Sequence, residues 1–294
     1  MIEKIKEIYE KDYKILMLIP LLILFLAILQ IGIQTYTTGD FLHKGVSLKG
    51  GSTITLNQVQ ISTTELETYL QQEFPTAEIT IRTLTTTGKI TGLAIDSDIQ
   101  DKKELDLVLN SISKKFKLQK DQYSVEVTGA ALGSSFFKQA GLALIISFLL
   151  MGIVVIAYFR VWIPSLAVIA AAFSDIVVTM AIFNLTGMKL STAGVAAFLM
   201  LIGYSIDTDI LLTSRVLKRK EGTVMDRIYS SIKTGMTMTV TTIAVVTVAM
   251  IFVQSEVIRQ IMLIIFIGMF VDMIMTWIQN VGILRLYLEK KGIH

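Results

Sequence analysis

Six long apolar runs divide the chain, and each is long enough to cross a bilayer as a helix. About 20 residues at 1.5 Å per residue span the roughly 30 Å of hydrocarbon in a membrane. The runs cover residues 15–33, 136–158, 163–185, 190–212, 236–253 and 257–284. The pattern therefore predicts a polytopic α-helical membrane protein with about six transmembrane helices. Because no small-residue cleavage site follows the first run, we interpret it as a retained helix rather than a signal peptide.

The segment between the first two runs has the pattern of a small α+β domain. Alternating polar and apolar residues predict strands at 52–56, 78–84, 89–95 and 123–127, with a turn at 85–88. Ser62 and Asp101 each stand three residues before a glutamate, the pattern of a capping box at the start of a helix. The resulting β-α-β-β-α-β order is that of a ferredoxin-like fold. Many functions share this fold, so it does not indicate one by itself.

Basic residues are concentrated in alternate loops, which predicts the orientation in the membrane. The richest loop follows the fourth run and contains Arg215, Lys218, Arg219, Lys220, Arg227 and Lys233. We therefore expect a cytoplasmic N-terminus at 1–14, a first helix at 15–33 and an extracytoplasmic ferredoxin-like domain at 34–135. A five-helix transmembrane bundle at 136–287 and a cytoplasmic tail at 288–294 complete the predicted organisation.

The amino-acid composition supports the membrane assignment and limits the kinds of chemistry that we expect of this chain. Apolar residues make up 53% of the chain and charged residues only 17%, which is abnormal for a soluble domain. The absence of cysteine excludes disulfides and thiolate metal sites. His43 and His294 lie outside the apolar runs, where a solvated histidine is the expected interpretation. The outer segment contains no nucleophile–base set and no phosphate-binding loop, so we expect neither an enzyme nor a cofactor. The net charge of +3 reflects the basic loops and does not indicate nucleic-acid binding.

Carboxylates inside the apolar runs are the candidates for function. A charged residue at the bilayer centre costs roughly 2.5–3.5 kcal/mol on insertion scales, so it needs a partner, a water-filled cavity or a proton. Asp175, Asp207, Asp209 and Asp272 all fall within these runs, and no lysine or arginine lies at a comparable depth. A carboxyl group buried without a cation favours its neutral form, and such groups suit the uptake and release of protons. The structural alternatives are that Asp207 and Asp209 lie at the headgroup end of a shorter helix, and that Asp175 and Asp272 cap or bond neighbouring backbones.

Four motifs carry a family resemblance. Gly50 and Gly51 end a stretch at 45–52 that resembles the G-x-D-F-x-G-G signature of the SecD and SecF proteins, and 127–133 resembles their V-G-P-x-x-G segment. Asp175 lies in a stretch similar to the SecF A-x-x-H-D run. A fourth segment resembles the SecF I-G-Y-S-x-N-D…R pattern and contains Gly203, Tyr204, Ser205 and Arg215. The chain is thus similar to the SecD/SecF protein-export family, in particular to SecF in its archaeal form, and more distantly to half of a resistance-nodulation-division (RND) transporter.

This resemblance implies an auxiliary subunit of the Sec translocase. It implies a SecD-like partner, the SecYE channel, an unfolded polypeptide in transit and membrane lipid as contacts, with the proton-motive force or a sodium gradient as the driving force. Asp207 aligns with the aspartate of the sister protein's V-D-A-N-V-L run, so we predict it as the main ion-responsive carboxylate, with Asp175 in support. The family's intramembrane arginine is replaced near Met236. The alternatives are half of a proton-driven small-molecule or lipid exporter, and a purely structural assembly subunit.

Overall fold

The computed structural model describes residues 2–57, 61–86, 89–118, 122–219, 221–253 and 256–293. Within these residues, six helices are long and apolar enough to cross a membrane, as predicted. They occupy Tyr13–Thr38, Ala130–Phe159, Trp162–Leu185, Thr192–Lys218, Val224–Phe252 and Val257–Lys290. The predicted count is confirmed, and His294 lies outside the described residues.

The helices of the membrane part are α1 (Ile2–Lys11), α2 (Tyr13–Leu16), α3 (Leu18–Thr38), α7 (Ala130–Phe159), α8 (Trp162–Leu185), α9 (Thr192–Lys218), α10 (Val224–Phe252), α11 (Glu256–Ile274) and α12 (Val281–Lys290). Helices α8, α9 and α11 pack against one another at the centre. Around them, α3 and α7 contact α8, and α10 contacts α9 and α11. The most apolar stretches of α8 and α9 are half or more buried, whereas those of the outer helices are mostly exposed, as expected for surfaces that face lipid.

Between α11 and α12, the helix widens into a π-helical segment, Met275–Asn280. Such π-helical turns are rare and are frequent at functional sites. Five side chains of this segment are buried: Met275, Thr276, Trp277, Gln279 and Asn280. The widened turn therefore places several polar groups inside the bundle.

The α+β domain has the predicted ferredoxin-like topology. Its strands are β1 (Gly51–Asn57), β2 (Ile79–Thr86), β3 (Lys89–Ser97) and β4 (Tyr123–Thr128), in the antiparallel sheet order β2-β3-β1-β4. Helices α5 (Thr63–Glu73) and α6 (Lys102–Phe116) supply the rest of the core. That core consists of Ile54, Leu56, Leu66, Leu70, Ile79, Leu93, Ile95, Ile99, Leu105, Val108 and Ile112. All of these residues belong to the domain itself, so its core does not depend on the membrane helices.

Two adjacent glycines stand where the chain enters this domain. Gly50 and Gly51 have φ of +89° and +137°, in the region that favours glycine. A Cβ at Gly50 would lie 2.4 Å from the Cα of Ala130, and one at Gly51 would lie 2.2 Å from the Ser97 carbonyl oxygen. The short helix α4 (Val46–Lys49) precedes them and packs against the start of α7. Gly50 therefore permits a close backbone contact with the start of α7, and Gly51 permits one between β1 and β3 of the domain.

Three helices extend beyond the apolar runs that predicted them. Helix α3 continues to Thr38 and α7 begins at Ala130, so both helices extend into the predicted outer segment 34–135. Helix α10 begins at Val224 rather than at 236, because a capping box between Thr223 and Asp226 starts it in the polar loop. Apolar runs measure the hydrocarbon crossing only, whereas a helix continues for as long as its backbone bonds are satisfied.

The two predicted helix caps in the α+β domain differ. Asp101 accepts hydrogen bonds from the backbone nitrogens of Lys103 and Glu104, as a capping residue does. Ser62 is the residue before α5 but makes no side-chain capping bond, so the capping box predicted there is wrong. Of the turn predicted at 85–88, residues 85 and 86 belong to β2, while 87 and 88 lie outside the described residues.

Candidate functional site

Three carboxyl groups meet at the centre of the bundle. Asp175 lies on α8, Asp209 on α9 and Asp272 on α11, and their exposed fractions are 0%, 0% and 1%. Each helix brings one acid to the place where the three pack together. We call Asp175, Asp209 and Asp272 the acidic cluster.

Short polar side chains hold these acids. The Ser205 hydroxyl donates to Asp175 Oδ2, so α9 contacts the acid of α8. The Thr208 hydroxyl lies 3.2 Å from both carboxylate oxygens of Asp272 and donates to the Ser205 carbonyl oxygen at 2.8 Å. These bonds go to side chains of neighbouring helices, which excludes the interpretation that Asp175 and Asp272 only bond nearby backbones.

The π-helical segment holds the third acid. The Asn280 amide nitrogen donates to Asp209 Oδ1 at 2.7 Å. The Thr276 hydroxyl is 3.0 Å from Asp209 Oδ1 and also 3.0 Å from Asp272 Oδ1, so one hydroxyl bridges two acids. Sequence reasoning missed Thr276 and Asn280, although their spacing of four in an apolar run is a signal for one polar helix face.

No cation accompanies the cluster in the part of the chain that the structure describes. None of the three acids takes part in a salt bridge there, and Asp175 Oδ1 and Asp209 Oδ2 have no hydrogen-bond partner. Three ionised carboxylates at one buried position would each carry a desolvation cost of several kcal/mol as well as mutual repulsion. The cluster therefore suits the binding of a small cation, and a proton is the smallest.

Asp207 lies apart from the other three candidates. Two residues turn an α-helix by about 200°, so Asp207 and Asp209 point in nearly opposite directions. Asp209 is buried, whereas Asp207 is exposed on the outside of α9. Helix α9 continues to Lys218, so neither residue lies at the end of a shorter helix. The predicted cooperation of Asp207 with Asp175 has no direct contact behind it, and the ion-responsive role of Asp207 stays a prediction.

Of the other residues in this motif, two lie on the exposed face of α9 and two bond to neighbouring helices. Gly203 and Tyr204 lie with Asp207 on the exposed face of α9, and a Cβ at Gly203 would meet nothing within 4 Å. Ser205 faces inward, to Asp175. Arg215 binds α10 instead of an acid: its Nη1 donates to the Ser230 carbonyl, the Ser230 hydroxyl and the Thr234 hydroxyl. The arginine thus fastens α9 to α10 beyond the cluster.

Fold and site together define a class of protein. The chain is a multi-pass membrane protein with six spans, a ferredoxin-like domain at one end of the bundle and a carboxylate cluster buried between its helices. Residues 108–290 match the family model described as "Protein export membrane protein SecD/SecF, C-terminal".

Relatives of similar length extend this match over nearly the whole chain. The protein-export membrane protein SecF of Pyrococcus furiosus is 37% identical over 98% of this chain and 96% of its own length. The SecF of Methanocaldococcus jannaschii is 34% identical over 95% of this chain and 97% of its own length. The chain therefore belongs to the SecF family of protein-export membrane proteins.

Solved structures agree on the fold. The crystal structure of SecDF, a translocon-associated membrane protein from Thermus, matches 97% of this chain with a TM-score of 0.77 at 19% identity. SecDF in its super-membrane-facing form matches 93% with a TM-score of 0.55 at 18% identity. This chain spans 38% of the length of each of those solved chains.

Proposed function

We propose that this chain is the SecF half of a two-part auxiliary unit of the Sec translocase, and that ion movement through the acidic cluster drives its work. In this proposal a SecD-like protein supplies the other half. The assembled unit contacts the SecYE channel, and the α+β domain holds an emerging polypeptide against backsliding. The unit makes and breaks no covalent bonds and uses no cofactor.

The observation that carries the proposal is that the acidic cluster has more close oxygen–oxygen contacts than its hydroxyl groups have hydrogens to donate. A threonine hydroxyl donates one hydrogen, yet the Thr276 oxygen lies 3.0 Å from an oxygen of Asp209 and 3.0 Å from an oxygen of Asp272. Thr208 faces both oxygens of Asp272 while it donates to a carbonyl. A proton on one carboxyl group would supply the missing donor. The geometry thus favours a cluster that holds at least one exchangeable proton.

The energy available from such a proton is large enough to move a domain. One charge that crosses the whole membrane potential releases about 2.3 kcal/mol per 100 mV. A free energy of about 1.4 kcal/mol changes an equilibrium constant tenfold. At about 100 mV, one proton can therefore shift the equilibrium between two positions of the domain by tens-fold. The neutralisation of one member also removes repulsion between α8, α9 and α11, which changes how closely these helices pack.

The exposed face of α9 supports a partner half. Ala196, Met200, Gly203, Tyr204 and Asp207 are all exposed and follow one stripe along this helix. Because a carboxylate that faces lipid near the middle of a span is costly, this stripe needs a protein surface that supplies a hydrogen bond, a cation or water. Small residues such as Ala196 and Gly203 let a second helix approach closely. We assign this stripe to the SecD-like partner, and Asp207 to the interface between the halves.

The orientation follows from the basic loops. The end of the bundle opposite the α+β domain contains Arg160, Lys218, Arg219 and Arg227, together with α1 and the end of α12. By the positive-inside rule this end faces the cytoplasm, and the α+β domain faces outward.

The proposal is tested with Asp209→Asn and Asp272→Asn, which keep shape and hydrogen bonding but cannot ionise. Export of a secreted protein is measured in inverted vesicles that contain the translocase and both halves, with and without a proton gradient. We expect the gradient-driven increment to disappear while gradient-free export is unchanged. Asp106→Asn, on the exposed face of α6, is the matched control. A full increment in both cluster variants would contradict the proposal. An increment that a sodium gradient drives and a proton gradient does not would identify sodium as the ion.

A further inference from the structure

We propose that the loop between α8 and α9, residues 186–191, couples the acidic cluster to the α+β domain, with Gln260 and Lys189 as its positioning residues. The inference rests on the proposed function, since it assumes that the cluster does ion-driven work. It adds the route by which that work reaches the domain.

On one side, the loop is fastened to the α+β domain and to residues 39–49, which lead from α3 into that domain and which we call the entry segment. Lys189 Nζ donates to Thr80 Oγ1 of β2 at 2.8 Å and lies 3.6 Å from a carboxylate oxygen of Glu78. Leu190 forms a parallel β-bridge with Lys44. In this bridge the Leu190 nitrogen donates to the His43 carbonyl oxygen at 2.6 Å, and the Gly45 nitrogen donates to the Leu190 carbonyl oxygen at 2.8 Å. The loop and the entry segment therefore move as one piece.

The entry segment is itself held by charge. Lys44 Nζ lies 2.6 Å from Asp40 Oδ1, and Lys49 Nζ lies 3.6 Å from Asp40 Oδ2. Burial alone would raise the pKa of Asp40, but the two lysines outweigh it and hold the pKa below its usual range. Asp40 is therefore ionised at neutral pH, and the ion pairs persist there.

On the other side, the same loop is fastened to α11 by one buried amide. Gln260, with an exposed fraction of 6%, uses both ends of its side chain. Its Oε1 accepts from the Ser191 nitrogen at 3.0 Å and from the Ser191 hydroxyl, and its Nε2 donates to the Lys189 carbonyl oxygen at 2.7 Å. An amide with fixed partners at both ends holds one geometry, since rotation would break every bond.

All three helices that carry the acidic cluster end at this junction. Helix α8 contributes Asn184, whose Nδ2 donates to the Phe41 carbonyl oxygen at 3.0 Å. Helix α9 begins at Thr192, whose nitrogen donates to the Ser47 hydroxyl at 3.3 Å. Helix α11 contributes Gln260, which lies 12 residues from Asp272, about 18 Å along the helix.

A rigid helix transmits a tilt or a slide along its length, and closely packed elements respond by small shear motions. A change of charge at the cluster alters the packing of α8, α9 and α11, and their outer ends meet at the loop. Lys189 and Thr80 then pass the displacement to β2. The route consists of hydrogen bonds from the cluster helices to the domain, and such networks are one means by which coupling is carried between distant sites.

The test uses the full-length chain with its partner half in inverted vesicles. Two quantities are measured for each variant: the gradient-driven increment of export, and gradient-driven proton movement across the vesicle membrane. Gln260→Leu removes both ends of the amide at similar volume, and Lys189→Met removes the ammonium group while it keeps the aliphatic chain. Gln139→Leu is the matched control, because Gln139 is an exposed glutamine of α7 whose side chain donates to Ser135 of its own helix.

We expect Gln260→Leu and Lys189→Met each to lower the export increment by roughly fivefold or more, the lower end of ordinary coupling factors. Proton movement and gradient-free export should match those of the wild type and of Gln139→Leu. Full increments in both variants would overturn the inference, and so would a parallel loss of proton movement, because the residues would then belong to the ion site. Failure of the proposed function is a different result: Asp209→Asn and Asp272→Asn would keep the increment, and the inference would fall with it.

A reversible tether separates lost coupling from misfolding. The chain has no cysteine, so Lys189→Cys combined with Thr80→Cys introduces its only thiols. The untethered double variant should behave like Lys189→Met. A short reducible crosslinker between the two thiols should restore the increment, and its reduction should abolish the increment again in the same sample. A tethered protein that stays uncoupled would contradict the role of this contact.

Discussion

At single residues, the acidic cluster depends on a few hydroxyl and amide groups as much as on its carboxyl groups. Thr276 contacts two acids from different helices, and the Asn280 amide nitrogen donates to Asp209 Oδ1. The acids were candidates from their position in apolar runs, since a charge there needs an explanation. Thr276 and Asn280 were not, because a threonine or an asparagine in a transmembrane helix is common and its partners depend on the packing of three helices.

We predict that Thr276→Val destabilises the protein. Valine keeps the shape of threonine but has no hydroxyl, so both acids lose a bond in a buried site, at a cost of about 1–3 kcal/mol. Thermal unfolding of the purified protein in detergent measures the loss, and Thr276→Ser should recover most of it. Equal stability of the valine and serine variants would mean that the hydroxyl bridge contributes nothing.

Gly203 gives a prediction about assembly. A Cβ at this residue meets nothing within 4 Å in this chain, so Gly203→Leu should leave folding intact, and the loss of a helical glycine should stabilise α9 by up to about 1 kcal/mol. On the stripe assigned to the partner, the larger side chain prevents close helix approach. We expect recovery of the SecD-like protein with the tagged chain to fall sharply.

The control for this change is Gly141→Leu. Gly141 also lies in a transmembrane helix, α7, with nothing within 4 Å of its Cβ position, and it is outside the stripe. Normal co-purification of both variants would contradict the assignment of the partner to this face of α9.

At the scale of elements, the π-helical segment is the feature that the sequence conceals. The run 257–284 is predominantly apolar, so its composition and length predict one uninterrupted helix. The structure instead contains α11, a π turn and α12. A π turn arises from the competition between backbone bonds and side-chain packing, and the packing partners lie on other helices. The Tyr9 hydroxyl of α1, for example, donates to the Trp277 carbonyl oxygen at 2.7 Å.

Helix α10 is fitted closely to this segment, which gives a further prediction. A Cβ at Gly235 would lie 2.3 Å from an aromatic carbon of Trp277. Gly235→Ala must therefore displace the indole ring, and overpacking of this kind costs about 1–3 kcal/mol. We expect a lower unfolding temperature and a changed tryptophan emission spectrum. Gly141→Ala, in open space on α7, should show neither effect, and a Gly235→Ala protein with wild-type emission would refute the tight fit.

At the scale of the whole molecule, the sequence was sufficient for the number of spans and for the topology of the domain. Both follow from local periodicity, which the chain carries in every segment. The meeting of Asp175, Asp209 and Asp272 was not predictable, because it depends on the rotation of each helix about its own axis. The same rotation separates Asp207 from Asp209, although the two are almost adjacent in sequence. The family motifs identified the helices that carry the candidate functional residues, but not which face of each helix lies inside the bundle.

The self-contained core of the α+β domain predicts independent folding. A fragment of residues 45–128 keeps all four strands, both helices and every core residue. We expect a mixed α/β circular dichroism spectrum and cooperative unfolding in the absence of membrane. Leu66→Asp places a charge among fully buried side chains and should abolish the transition. A wild-type fragment with the spectrum of a disordered chain would show that the domain needs the bundle.

The π-helical segment also has a consequence for the evolution of this chain. A π turn accommodates one residue more than an α-helix of the same rise, so it is equivalent to a single-residue insertion within Met275–Asn280. Removal of one residue there would restore a regular helix and leave α12 close to its present orientation. Removal of one residue from the regular turns of α11 would instead rotate α12 by about 100°. That rotation would carry Arg285 away from the carbonyl groups of Tyr9 and Glu10, to which it now donates. Loss of one residue within Met275–Asn280 should therefore be more frequent among related chains than loss of one residue in the regular turns of α11. Where the second kind occurs, the N-terminal helix should have changed with it.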